Sequence, residues 1–194
     1  MYSLLFQQWV KRIEKASMIH GTIDLETIDT RPQATVLSLG AVKFNPLNDN
    51  EPYDELYFKI CIDDQDRLGR TTSDDTIAWW GKQDPKIMEE AFDQEGAITV
   101  EEALAKINKW VVGVDTLWGQ GYGFDYTILE DMYRSAGKPI PWNFWIIRDS
   151  RTLFSCCQED PRKKIQNDLH NALADAYFQS KAIQIAYQEL GLQR

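Results

Sequence analysis

From residue 19 onward the chain opens with strand-like patterning. Segments 19–26, 36–44 and 56–62 are runs of β-branched and apolar residues separated by clusters of Asp, Pro and Asn, the pattern of an antiparallel meander. The period then lengthens. A short helical segment covers 76–80, and Asp84-Pro85 supplies an N-cap and a first-turn proline for a helix over 85–92. Thr99 and Glu102 form a capping box ahead of Ala103, Leu104, Ile107 and Val111. A buried strand at 116–119 leads through a glycine-rich turn into a helix over 124–136, with Phe124, Ile128, Leu129, Met132 and Tyr133 on one face and Gly137 and Pro139 beyond its end. Segment 145–147 reads as another short strand, and a last helix runs from about 171 to 190, stopped by Gly191. With no internal repeat, low-complexity tract or linker, residues 18–194 read as one α/β domain.

Residues 2–15 precede this domain as an amphipathic helix with Tyr2, Leu5, Phe6, Trp9, Val10 and Ile13 on one face. Segment 1–17 is expected to be an extension packed on the domain, or a lead upstream of a start at Met18. Its apolar stretch is broken by Lys11, Arg12 and Glu14, so it is not a secretory signal. No run approaches the ~18 apolar residues of a membrane span, and no membrane partner is expected. Cys61, Cys156 and Cys157 are odd in number and lack zinc-site or disulfide-framework spacing, which points to reduced thiols and a cytoplasmic setting. The balance of 30 acidic against 21 basic side chains, a net charge of −9, argues at first against nucleic acid as partner.

Three carboxylate motifs change that picture. Asp24 and Glu26 are two apart on a strand, so they share a face while Ile23 and Leu25 take the other. Two carboxylates aimed at one point call for a cation, and oxygen ligation suits Mg²⁺ or Mn²⁺; taken alone, the pair reads first as a solvated strand end, since Asp-x-Glu is common in acidic chains. Asp125 falls in the first turn of its helix, where it caps backbone N–H groups or meets a ligand across the turn of Gly119, Gly121 and Gly123. In the segment 170–176, Ala172, Ala174 and Ala176 keep the helix start thin beside Asp175. Five helical residues would turn His170 about 140° from Asp175, so the two converge only if His170 lies outside the helix. An imidazole so placed is suited to take a proton from water. His20, the other histidine, reads as an isolated surface residue.

In this order the motifs resemble the DEDDh, or DnaQ-like, 3′→5′ exonucleases. Asp24, Glu26, Asp125 and Asp175 match that family's four acids, and His170 matches its histidine, over about residues 18–185. The resemblance implies an RNase H-like mixed sheet, an antiparallel meander plus parallel strands flanked by helices. It implies two divalent metal ions, Mg²⁺ or Mn²⁺, held by the four acids, with His170 as general base. It also implies release of nucleoside 5′-monophosphates from nucleic-acid 3′ ends, DNA being favoured and RNA the alternative. The segment 76–80, Trp118, and Phe144-Trp145 with Arg148 and Arg151 look like the T4-type phage exonuclease A and its bacterial and mycobacterial relatives. Gly121 stands where many family members carry asparagine.

Candidate substrate contacts are Thr27, Trp79, Trp80, Arg148, Arg151 and the basic run Arg162, Lys163 and Lys164. The adjacent tryptophans point about 100° apart on a helix, so one of them can stack a terminal base while the other packs. Arg148 and Arg151 are read as phosphate contacts or as ion-pair partners of acids. Two divalent cations would take the net charge from −9 to −5, so the acidity suits an enzyme that grips nucleic acid locally, at the metals.

Overall fold

The computed structural model of the 194-residue chain describes residues 18–121, 123–165 and 170–193; the amphipathic segment 2–15 lies outside them. Three strands form the meander: β1 (His20–Thr27), β2 (Val36–Phe44) and β3 (Tyr53–Lys59). Five helices and two further strands follow: α1 (Ile62–Asp66), α2 (Asp74–Trp80), α3 (Pro85–Phe92), α4 (Val100–Trp110), β4 (Thr116–Gly119), α5 (Asp125–Ser135) and β5 (Ile147–Asp149). The chain then forms α6 (Ser150–Phe154) and α7 (Ala172–Glu189). The sheet order is β3-β2-β1-β4-β5. β1–β2 and β2–β3 pair antiparallel, whereas β1–β4 and β4–β5 pair parallel. This is the mixed RNase H-like sheet that the motifs imply.

Alternation along β1 divides the molecule into layers. Ile23 and Leu25 enter the main core with Leu39 and Phe58 of β2 and β3, covered by Leu104 and Ile107 of α4 and Leu129 and Met132 of α5. Thr22, Asp24 and Glu26 face the other side, where α7 crosses. There the Thr22 hydroxyl donates to the Ala176 carbonyl at 2.8 Å and lies 2.6 Å from the Ser180 hydroxyl. Farther along the same helix, Ala182, Ile183, Ala186 and Tyr187 close a second apolar cluster with Phe44 and Trp118. A third cluster of Ile28, Leu37, Trp80 and Ala91 fixes α2 and α3 beyond the end of β1. The capping box at Thr99 and Glu102 and the Asp84 cap of α3 both form.

Two strand boundaries differ from the sequence pattern. β3 ends at Lys59, and Ile62 opens α1. The partner that a longer β3 would have supplied to Val36 is replaced by the buried Gln65 amide, which bonds the N–H and the C=O of Val36 at 2.8 Å each. Segment 145–147 is mostly a 3₁₀ turn, Phe144–Ile146, and β5 begins at Ile147. His20 is buried at 3 % exposure, not a surface residue. Its Nδ1 accepts the Trp118 indole N–H at 3.0 Å, and its ring packs against Phe44 and Tyr187.

Candidate active site

The site forms where β1 stops pairing with β4. That pairing ends at Thr22, so the edge of β1 beyond it is open to the turn that leads from β4 into α5. Asp125 at the start of α5 fills this gap, and its buried carboxylate accepts the Leu25 N–H and its own N–H. Gly121, with φ of +118°, makes the preceding turn and lies beside the Arg151 guanidinium.

Opposite this turn, α7 begins late enough to leave His170 outside the helix. Asn171 caps it, accepting the Ala174 N–H at 3.1 Å. Asp175, one turn in, then faces β1. One carboxylate oxygen from each of Asp24, Glu26 and Asp175 falls within 4.8 Å of the others. Asp125 is not part of that convergence, but its charge raises the pKa of both Asp24 and Glu26.

Burial and mutual repulsion set the electrostatics. Asp24 is pushed well above the usual carboxylate range by burial and by the charges of Asp125, Glu26 and Asp175. Burial, then Asp175 and Asp125, lift Glu26 to about 8. Burial lifts Asp125 to about 7 against the opposing pull of its backbone hydrogen bonds and Arg151. Carboxylates forced together in this way, with hard oxygen donors, fit divalent cations such as Mg²⁺ or Mn²⁺.

A cavity of about 490 Å³ opens over the carboxylates, lined by Asp24, Glu26, Asp175, His170, Arg162 and Gln179, with Gln120, Ile165 and Phe178 at its walls. The sequence motifs do not single out Gln179, although it lies four residues after Asp175 and so on the same helical face. It donates to an Asp24 carboxylate oxygen at 2.7 Å and is 5 % exposed.

The other candidates divide. Trp79 is exposed and meets His170 edge to face, with ring centroids 5.1 Å apart. Trp80 is 1 % exposed, with its indole N–H on the Thr27 carbonyl at 2.9 Å; it is a packing residue and presents no face to a base. Thr27 is itself buried, its hydroxyl donating to the Asp29 carbonyl at 2.7 Å. Arg151 reaches the Gly121 turn beside Asp125, whereas the Arg148 guanidinium bonds the carbonyls of Trp145 and Ile147 and its charge acts on His20 and Tyr187, away from the cavity. Of the basic run, Arg162 lines the cavity while ion-paired to Asp160 at 2.6 Å. Lys164 pairs with Glu189 at 3.3 Å, and Lys163 is exposed.

Comparison with known proteins follows the same lines. The sequence model of the 3'-5' exoribonuclease Rv2179c-like domain matches residues 19–187. No individually curated protein matches the sequence. Among solved structures, cell-death related nuclease 4 (CRN-4) superposes with a TM-score of 0.64 at 11 % identity over 89 % of this chain and 64 % of its own. E. coli exonuclease I in complex with a dT13 oligonucleotide gives 0.62 at 15 % identity over 90 % of this chain and 42 % of its own. The nuclease domain of 3'hExo, a DEDDh family member bound to rAMP, gives 0.54 at 16 % identity over 88 % and 92 %. The chain thus spans about two fifths of the exonuclease I it resembles. No helix among the described residues is long and apolar enough to cross a membrane. By its match over nearly the whole described domain, the chain belongs to the Rv2179c-like 3′–5′ exoribonuclease domain family.

Proposed function

We propose that this enzyme removes nucleoside 5′-monophosphates one at a time from the 3′ ends of RNA, using Asp24, Glu26, Asp125 and Asp175 to hold two divalent cations and His170 as general base. The observation that carries the reading is the convergence of three carboxylates within 4.8 Å beneath a cavity that His170 lines. Bound there, Mg²⁺ or Mn²⁺ would supply charge neutralisation at the attacking and leaving oxygens. The chain's own work is positional. Gln179 holds Asp24, α7 carries Asp175 onto β1, and the Leu25 N–H fixes Asp125. His170, free of the helix and at the cavity wall, takes a proton from the attacking water, a step worth about 10²–10⁴-fold. Arg162 at the wall and Arg151 at the Gly121 turn are placed to meet phosphates.

The family's designation as an exoribonuclease domain favours ribose over deoxyribose. DNA, which the resemblance read from the motifs favours, becomes the second reading, supported by the oligonucleotide bound in exonuclease I, which shares this fold. The motifs at 76–80 and 144–152 support a place near the T4-type phage exonuclease A and its mycobacterial relatives.

Matched RNA and DNA strands, single and double, labelled at either end, test the proposal with Mg²⁺ and with Mn²⁺. Mononucleotides released from the 3′ end of RNA, and lost in His170→Ala and Asp24→Asn, are the expected result. Release from 5′ ends, or full activity in either variant, overturns it. Faster release from DNA overturns the choice of sugar alone.

A further inference from the structure

We propose that Trp79 is a positioning residue for His170, holding the imidazole over the acidic cluster; this rests on the reading of His170 as general base. His170 is exposed and stands outside α7, so the helix backbone does not fix it. Among the described residues, its ring contacts are with Trp79, centroids 5.1 Å apart and planes at 79°, and with Trp80 at 6.3 Å. Both tryptophans sit on α2, which is tied to the catalytic strand. The Trp80 indole bonds the carbonyl of Thr27, the residue that follows Glu26, and its ring is buried among Ile28, Leu37 and Ala91.

Adjacent helical positions point about 100° apart. One tryptophan therefore anchors α2 to the end of β1 while the other turns its ring outward to the imidazole. The strand bearing Asp24 and Glu26 and the ring that braces His170 become parts of one packed unit. Without that ring, His170 samples the rotamers open to any exposed side chain, and only a fraction of them face the cavity.

A tryptophan that stacked a terminal base would act differently. Stacking strengthens substrate binding and shows in KM. Bracing the base leaves binding alone and shows in kcat.

The test compares Trp79→Ala and Trp79→Phe by Mg²⁺-dependent nucleotide release from a single-stranded RNA 3′ end, and by the imidazole ring-proton NMR signals of the protein. The chain has only two histidines, so a spectrum of His170→Ala identifies the His170 signals. Trp79→Ala is expected to lower kcat about 3- to 10-fold, the range of a lost aromatic pair, with KM unchanged. The same variant should move the His170 signals toward those of a free imidazole, and Trp79→Phe should restore both quantities. Unmoved His170 signals in Trp79→Ala, or a raised KM with kcat intact, overturn the proposal. A wild-type enzyme that releases no nucleotide while its His170 signals shift in Trp79→Ala overturns the functional reading and leaves the contact standing.

Discussion

Gly40 lies directly against Ala172: a Cβ at Gly40 would stand 2.1 Å from the Ala172 carbonyl carbon and 2.1 Å from the Leu173 nitrogen. Gly40 pairs with Asp24 across β1 and β2, so the bare backbone at this one position lets the start of α7 settle beside the acid. That contact sets where Asp175 stands. Because the obstruction is backbone, no side-chain rotation relieves it.

Gly40→Ala must therefore push α7 outward. The expected cost is about 1–3 kcal/mol, as for other overpacked sites. Turnover should fall by up to about 10²-fold, since small displacements of reacting groups are that costly. Thermal melts and single-turnover assays check both, and a variant with wild-type activity would show that α7 does not position Asp175 in this way.

Asp24→Asn separates stability from catalysis. Asp24 is held well above its ordinary pKa by burial and by Asp125, Glu26 and Asp175, so its charge works against the fold when no cation is present. The amide keeps a partner in Gln179. With chelator, the variant should melt higher by about 2–4 °C, the shift given by about 1 kcal/mol in a chain of this size. Nucleotide release should be lost. A lower melting temperature in the variant would contradict the repulsion.

Much of this arrangement is legible in the sequence because it is local. Alternation on β1 places Asp24 and Glu26 on one face, the caps at Asp84 and Thr99 mark helix starts, and His170 is set before the helix that carries Asp175. What escapes is set by distant partners. Nothing near Gly40 announces that Ala172 will land on it. The β-branched run 56–62 outlasts β3 because Gln65, a residue with no strand signal, takes over the bonds of Val36. Trp79 and Trp80 are chemically alike, and only the Thr27 carbonyl and the cluster of Ile28 and Leu37 decide which is buried. His20 is buried because Trp118, 98 residues away, provides its hydrogen bond.

His20 gives the fold an acid limit. Burial, then the Arg148 charge, lowers its pKa from 6.5 to about 4. In the unfolded chain it gains a proton near its ordinary value. The stabilisation from keeping it neutral is therefore complete above pH 6.5 and is lost progressively as pH falls toward 4. A shift of this size corresponds to about 3 kcal/mol. Protonation at Nδ1 would also break the Trp118 bond. His20→Gln should lose less stability than the wild type between neutral and acid pH in melts across that range, and parallel curves would remove His20 as the cause.

The carboxylate cluster acts in the opposite direction. Glu26 is raised to about 8 and Asp125 to about 7, so in the folded protein these groups keep protons at pH values where the unfolded chain has already lost them. Stability from the neutral forms is present below the ordinary carboxylate pKa and is lost as pH rises through the folded values. In chelator, the melting temperature should thus fall from about pH 5, above the ordinary carboxylate values of 3.8 and 4.5, and level off near pH 8, once Asp125 and Glu26 have ionised in the folded protein too. On the proposed reading, Mg²⁺ or Mn²⁺ would bind the ionised groups and should reverse the trend, adding about 2.7 kcal/mol at a hundred times its dissociation constant. Binding must also displace the retained protons. Calorimetric titrations of the cation at neutral pH, in two buffers of different ionisation enthalpy, should show protons released, fewer at higher pH and fewer in Glu26→Gln. Equal heats in both buffers would mean that the cations do not bind at these carboxylates.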